Sequence, residues 1–334
     1  MAKRKSVKTS TPKPEAKLRP KPILFSLTAL YASILFFGAE LPADQPLHSL
    51  VAYAPPQMLC IPLAIASIIA LPLLFRRGHR ALALVTILCA VLSALHTYQY
   101  QFRAQPTTRP TDLRVLTCNF LFLNKDVSAI TKYIIHEKID LIYLQENEGG
   151  DQSPAVRIHA VLTDYHLFRK GSTAILSRFP ISNTEAIQQK SLTHRYILAA
   201  DIDGPIKFRA MTLHWSVPQI TGGLPHFFRS VKKQTLDFEL TNTVLDQQEL
   251  PVLLGGDFNN PPRHAFTKSL SKRLTNAFQE VGNGFGFTFS SDQALTRIDH
   301  LYSSRELIPI RCVVGPSFGS DHFSLRTDYT LAKL

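Results

Sequence analysis

The chain has 334 residues, 37 of them Lys or Arg against 25 Asp or Glu, for a net charge of +12, and 45% are hydrophobic. That length suits one large domain or two ordinary ones, and the composition excludes a collagen-like, disordered or disulfide-dense product. It does not exclude membrane segments, and the charge is unevenly placed: the first hundred residues carry 11 basic and 3 acidic side chains, the remainder 26 and 22.

From the N-terminus, residues 1–21 form a basic tail, Lys3 to Lys21, with Thr-Pro and Lys-Pro dipeptides that favour a disordered segment near anionic head groups. Pro22–Ala39 then runs for 18 residues without a charge, the lower limit for crossing a hydrocarbon core of about 30 Å. Glu40, Leu41 and Pro42 make a poor signal-peptide cleavage site, and two further apolar runs follow, Val51–Phe75 and Ala81 to about Tyr100. Three transmembrane helices are expected within residues 22–100, with Pro55, Pro56 and Pro62 either setting the second helix's start near Gln57 or allowing a kink. Arg76, Arg77 and Arg80 lie between the second and third runs, whereas the loop Glu40–Ser49 has two acids and no Lys or Arg. The positive-inside rule therefore predicts a multi-pass plasma-membrane protein with a cytoplasmic N-terminus and everything after Tyr100 outside.

Residues 101–111 read as a polar, Pro-containing linker. Beyond it, over 112–330, strand-like runs at Leu113–Cys118, Leu141–Leu144, Thr173–Ser177, Phe208–Leu213, Val252–Leu254 and Cys312–Val314 alternate with helix-like stretches at Val127–Glu137 and Arg229–Leu245. That mixture favours two packed sheets or a covered sheet, α/β or α+β. Cys118 and Cys312, the cysteines outside the apolar spans, suit either a disulfide or two buried thiols.

Polar residues repeatedly end the apolar strands: Asn119, Gln145 with Glu146, His214, Asp257 with Asn259 and Asn260, Asp299 with His300, and Ser320 with Asp321 and His322. Each has an ordinary reading as a turn cap, helix start or strand residue. Gly255-Gly256 lacks the lysine and spacing of a phosphate-cradling loop. Together the ends offer hard oxygen ligands without a zinc-type set, which suits Mg2+ (or Mn2+), and such a cation with carboxylates, Asn and His suits a phosphate ester as substrate.

The ordered motifs resemble the endonuclease/exonuclease/phosphatase superfamily: Asn119 in LTCNF, the Gln145-Glu146 pair, GSTAILSRFPI, His214, Gly256 to Asn259 as Gly-Asp-Phe-Asn, Arg297 to His300 as Arg-Ile-Asp-His, and Ser320 to His322 as Ser-Asp-His. The membrane prefix is similar to that of its bacterial membrane-anchored members. The resemblance implies a four-layer α/β sandwich of two central β-sheets flanked by helices. It also implies Glu146 as principal metal ligand, with Asn119, Asp257 and Asp321 in the set. Asp257 and Asn259 would position or activate water, and His322, oriented by Asp299, would share the base role or stabilise phosphate oxygens. His214 would contact phosphate or assist the leaving group, and Asn119, Asn259 and Arg297 would touch substrate. The activity so implied is a phosphodiesterase or nuclease; the alternatives are hydrolysis of a phospholipid or small phosphate ester at the membrane, and a non-catalytic tethered binding protein. DNA, RNA or phospholipid and the bilayer are the expected partners, with no obligate protein partner. Arg178, Lys190, Arg195, Arg229, Lys232 and Lys233 are candidate backbone contacts or a solvated face. Phe227 and Phe228 are candidates to stack a base, enter lipid or pack on a helix.

Overall fold

The computed structural model describes residues 45–53, 109–121, 126–219, 221–293 and 295–332, with isolated positions between 41 and 91. Among the described residues no helix is long and apolar enough to cross a membrane. The basic tail, the first expected span and nearly all of the other two lie outside the described residues. Residues 51–53, at the head of the second apolar run, belong to a short helix, α1 (Pro46–Tyr53), packed on the C-terminal domain.

Among the described residues, twelve strands form two six-stranded sheets. The first contains β1 (Leu113–Asn119), β2 (Leu141–Gln145), β3 (His166–Lys170), β4 (Thr173–Ser177), β11 (Leu307–Val314) and β12 (Leu325–Leu331), in the order β11-β12-β1-β2-β4-β3. The second contains β5 (Ile181–Gln188), β6 (Tyr196–Asp203), β7 (Lys207–His214), β8 (Val252–Asp257), β9 (Thr275–Asn276) and β10 (Asp299–Ser303), in the order β5-β6-β7-β8-β10-β9. Each sheet has one parallel pair near its middle, β1 with β2 and β7 with β8, and antiparallel neighbours elsewhere. A parallel pair requires a crossover, which α2 (Ser128–Glu137) and α4 (Leu224–Asp246) provide.

The alternation of side chains along each strand divides the core into layers. Leu113 and Val115 of β1 and Leu141 and Tyr143 of β2 face Phe208 and Ala210 of β7 and Leu253 of β8 between the sheets. Leu116, Cys118, Ile142 and Leu144 point the other way, under Ile130 and Ile134 of α2 and Ala155 and Ile158 of α3 (Pro154–Val161). Leu213, Val252 and Leu254 pack under Val244 and Leu245 of α4 and Phe266 and Leu270 of α5 (Ala265–Leu270). This is the expected four-layer sandwich, helices outside and two sheets within. Each fully buried aliphatic or aromatic side chain in these layers contributes about 1.5–3 kcal/mol.

Polar bolts cross the central interface. The Tyr143 hydroxyl donates to the Leu253 carbonyl at 2.7 Å, and Gln145 Nε2 donates to Thr212 Oγ1 at 3.0 Å. Gly255 permits the close approach: a Cβ there would meet Leu301 Cδ2 at 2.5 Å and Tyr143 Cδ2 at 2.6 Å. Gly256 has φ +143° and faces the Leu213 carbonyl. The glycine pair thus serves sheet packing. Cys118 and Cys312 are buried free thiols, and burial pushes both up, that of Cys312 to about 12.

Candidate active site

Both parallel pairs end at the same edge of the sandwich, and their last residues are in register: Asn119 with Gln145, and His214 with Asp257. Antiparallel β10 begins beside them, pairing Asp299 with Asp257. Three non-glycine residues just past these ends hold a left-handed backbone, Leu121 at φ +55°, Glu146 at φ +54° and Asn259 at φ +46°. Each costs roughly 1–2 kcal/mol and turns the chain sharply out of its strand, so that at Glu146 and Asn259 the side chain is re-aimed across the edge.

Asp257 is the meeting point. It is almost wholly buried, and its Oδ2 lies 3.1 Å from Asn119 Nδ2, 3.3 Å from Asn259 Nδ2, 3.3 Å from His214 Nε2 and 3.8 Å from His322 Nε2. Its other oxygen accepts the Asn259 backbone N–H at 2.8 Å. The same Asn119 Nδ2 donates to Glu146 Oε1 at 3.1 Å, so carboxylates from the two sheets converge on one amide. Asn119 Oδ1 receives the Leu121 N–H at 3.2 Å.

His322 Nδ1 lies 2.9 Å from Asp299 Oδ2. Ser320 fixes that loop to the first sheet: its hydroxyl donates to the Asn119 carbonyl at 2.7 Å and accepts the His322 N–H at 3.1 Å. Burial opposes charge on His322, but Asp299 and Asp257 outweigh it and hold its pKa up at about 10. Burial drives Asp257 the other way from a free carboxylate, raising it to about 7 against the pull of His322. His214 is held well below its usual value by burial and then by Arg195 and His322, so it is neutral. One buried imidazolium and one buried neutral imidazole therefore flank a single carboxylate.

Asp321 is exposed at the rim, with Ser320 Oγ 3.4 Å from its carboxylate. Arg297 is buried away from this cluster, its guanidinium 4.3 Å over the Phe278 ring of α6 (Ala277–Val281). His300 supports the site from behind: its Nε2 is 2.8 Å from the Asn260 carbonyl, and burial holds it neutral, at about 3.

Among the described residues the His, Asp and Glu side chains grouped tightly enough for one ion are Asp257, Asp299 and His322, with ligand atoms within 4.8 Å of one another. In that group the protonated His322 already supplies the positive charge between two acids. The Glu146, Asn119 and Asp257 side is the better fit for a hard cation, because two carboxylates from different sheets converge there on the Asn119 side chain, and carboxylate and amide oxygens are the ligand class such a cation takes.

Of the candidate surface cations, Arg178 is 3.5 Å from Asp140 and 3.8 Å from Asp164. Arg195, Arg229 and Lys233 instead come together with His226 round a cavity of about 250 Å³ that has no acidic lining residue. Arg195 Nη1 joins this cavity to the site, donating to the Trp215 carbonyl at 2.5 Å and the His214 carbonyl at 3.5 Å. Phe227 is buried and Phe228 half-exposed on the first turns of α4.

Tyr53 of α1 escapes sequence reasoning. Its hydroxyl lies between the Asn259 carbonyl and Asn260 Oδ1, although the segment reads as the head of an apolar span.

The family model described as the Endonuclease/Exonuclease/phosphatase family matches residues 116–322, and the chain belongs to that family. Members of this family are phosphoesterases that depend on a divalent metal, typically Mg2+. Solved structures share the fold. A family protein from Bacteroides thetaiotaomicron is 18% identical, with 67% of this chain and 100% of that one covered and a TM-score of 0.55. An AP endonuclease from Archaeoglobus fulgidus is 16% identical, with 66% and 100% covered and a TM-score of 0.55. The 3′ phosphatase NExo from Neisseria, bound to a product DNA hairpin, is 17% identical, with 65% and 99% covered and a TM-score of 0.54. No curated protein matches the sequence.

Proposed function

We propose that the chain is a membrane-anchored, Mg2+- (or Mn2+-) dependent hydrolase of phosphate esters, acting first as a phosphodiesterase or nuclease. The observation that supports this most is Asp257, a buried carboxylate with a pKa near neutrality set between a cationic His322 and a neutral His214. A base near the working pH beside a fixed acid is the arrangement that moves a proton at phosphorus. Asp257 takes the proton of the attacking water, which Asn259 orients. His322, held by Asp299, presents its charge to the phosphate oxygens, and His214 contacts phosphate on the leaving side. Glu146, Asn119 and Asp257, with Asp321 at the rim, would hold the cation, which supplies charge that neutralises phosphate oxygens.

The basic cavity favours a substrate carrying a second phosphate, as a nucleic-acid strand does, since backbone contacts need only a few cations. The half-exposed Phe228 offers a stacking face nearby. Arg297, stacked on Phe278, is left to packing in this reading. The apolar runs and one-sided charge of residues 1–100 support an anchor with the catalytic domain outside the plasma membrane.

The test is a panel of DNA, RNA, bis(p-nitrophenyl) phosphate, sphingomyelin, glycerophospholipid vesicles, inositol phosphates and nucleotides, given to the full chain with Mg2+ or Mn2+ beside Asp257→Asn. Magnesium-dependent cleavage of oligonucleotide, lost in the variant, is expected. Turnover of vesicle lipid in preference to oligonucleotide would reassign the substrate, and no turnover at all would leave a binding protein. Protease added to spheroplasts should remove the C-terminal domain; its protection would reverse the orientation.

A further inference from the structure

Helix α1 lies outside the family-matched residues 116–322, yet it is built into the side of the active site. His48, Ser49, Val51 and Ala52 are buried against the domain. His48 Nε2 accepts the Ala265 backbone N–H at 2.9 Å, Ser49 Oγ lies 3.3 Å from His264 Nε2, and Arg263 Nη2 donates to the Val51 carbonyl. The helix thereby delivers Tyr53 to the turn after β8. The Tyr53 hydroxyl faces the Asn259 carbonyl and Asn260 Oδ1, the latter at 2.9 Å, and accepts from Gln234 Nε2 at 2.9 Å. Gln234 Nε2 also donates to the Asn259 carbonyl at 2.9 Å.

Asn259 holds its left-handed backbone because its backbone N–H, its carbonyl and its side-chain Nδ2 are all engaged. Its N–H is on Asp257, its side-chain amide on the Trp215 carbonyl at 2.9 Å, and its carbonyl on Gln234 and Tyr53. A strained residue persists only while its surroundings over-determine it, and Tyr53 is one of those restraints. We infer that Tyr53 is a positioning residue for the catalytic turn, and that α1, which leads into the second apolar run, is a working part of the active site. The inference rests on the role proposed for Asn259. It couples the anchor to catalysis: a displacement of α1 loosens the side chain that orients water against Asp257.

Tyr53→Phe in the full chain removes the hydroxyl and keeps the ring. Relaxing a group that aligns reactants acts on turnover, so kcat on bis(p-nitrophenyl) phosphate with Mg2+ should fall roughly tenfold while KM stays within about twofold. Trp215 is the only tryptophan, and its carbonyl receives the Asn259 amide, so its fluorescence emission should shift in the variant independently of activity. A folded Tyr53→Phe with unchanged kcat and unchanged emission overturns the inference. So does a parallel loss of kcat, KM and melting temperature, which marks a merely structural role. If the wild-type chain hydrolyses no phosphate ester, the proposed function falls, and the Trp215 spectrum still decides the positioning: a shift keeps it and an unchanged spectrum overturns it.

Discussion

The first sheet brings the buried Asn119 and the partly open Glu146, both carrying oxygen donors, to the shared edge, while the second brings His214, Asp257 and Asp299, all deeply buried. Two similar architectures, each with a parallel pair ending at the site, thus supply different chemistry. The opening at Glu146 suits uptake of a hydrated cation in the proposed role, and burial suits the groups that tune proton affinity, since desolvation is the first cause of the shifts at Asp257 and His214. Asp257 belongs to the second sheet but hydrogen-bonds Asn119 of the first, so it joins the two halves.

Removing that joint should have the largest effect. Asp257→Asn keeps the volume and loses the base, and kcat should drop by about 10³–10⁴-fold, measured by steady-state hydrolysis of bis(p-nitrophenyl) phosphate. A variant within tenfold of wild type would shift the base role to another group. Next comes the first sheet alone. Glu146→Ala should cost roughly 10³-fold at fixed Mg2+, recover in part at high Mg2+, and weaken Mn2+ binding seen by electron paramagnetic resonance, while chelation should silence the wild type. Loss that metal cannot restore would deny Glu146 its place as a ligand.

The second sheet's contribution is separable by pH. The proposed mechanism needs Asp257 ionised and His322 protonated, so activity should fall as pH drops through about 7 and again as pH rises through about 10. A bound cation favours the Asp257 carboxylate and should move the acid limb to lower pH as Mg2+ is raised. Asp299→Asn withdraws the nearer acid from His322, lowers its pKa and should bring the alkaline limb down, with about 10²-fold lost at the optimum. An alkaline limb that stays in place would detach Asp299 from His322. The smallest effect concerns the contact between the sheets: Gly255→Ala pushes a methyl into Tyr143 and Leu301 and should lower stability by about 1–3 kcal/mol in urea melts. An unchanged midpoint would show that the sheets yield there.

Legibility in the sequence followed unbroken apolar runs. β1, β2, β4, β7 and β8 are apolar runs buried along nearly their whole length, and their expected and observed spans agree within a few residues. Among the strands that escape notice, three show why. β5, ISNTEAIQ, is largely exposed at a sheet edge and made of residues that also suit turns. β12, LRTDYTL, buries Arg326 and Asp328, 3.3 Å apart, in place of an apolar pattern. β6 centres on Ala-Ala-Asp, which has little strand preference of its own. Helix α4 begins five residues before its expected start at Arg229, because Gly223 and Pro225 open it there.

The sequence by itself determined which residues end the strands and in what order, and hence the family, because a polar side chain closing a buried strand is a local feature. It also determined the two populations of charge. Only the tertiary structure decided that Arg297 stacks on Phe278, that Arg195, Arg229 and Lys233 share one cavity, and that Tyr53 reaches Asn259 across 206 positions of chain. Those outcomes depend on how α1, α4 and α6 pack against the sheets, and contacts between separate elements leave no periodicity or spacing in the sequence to read.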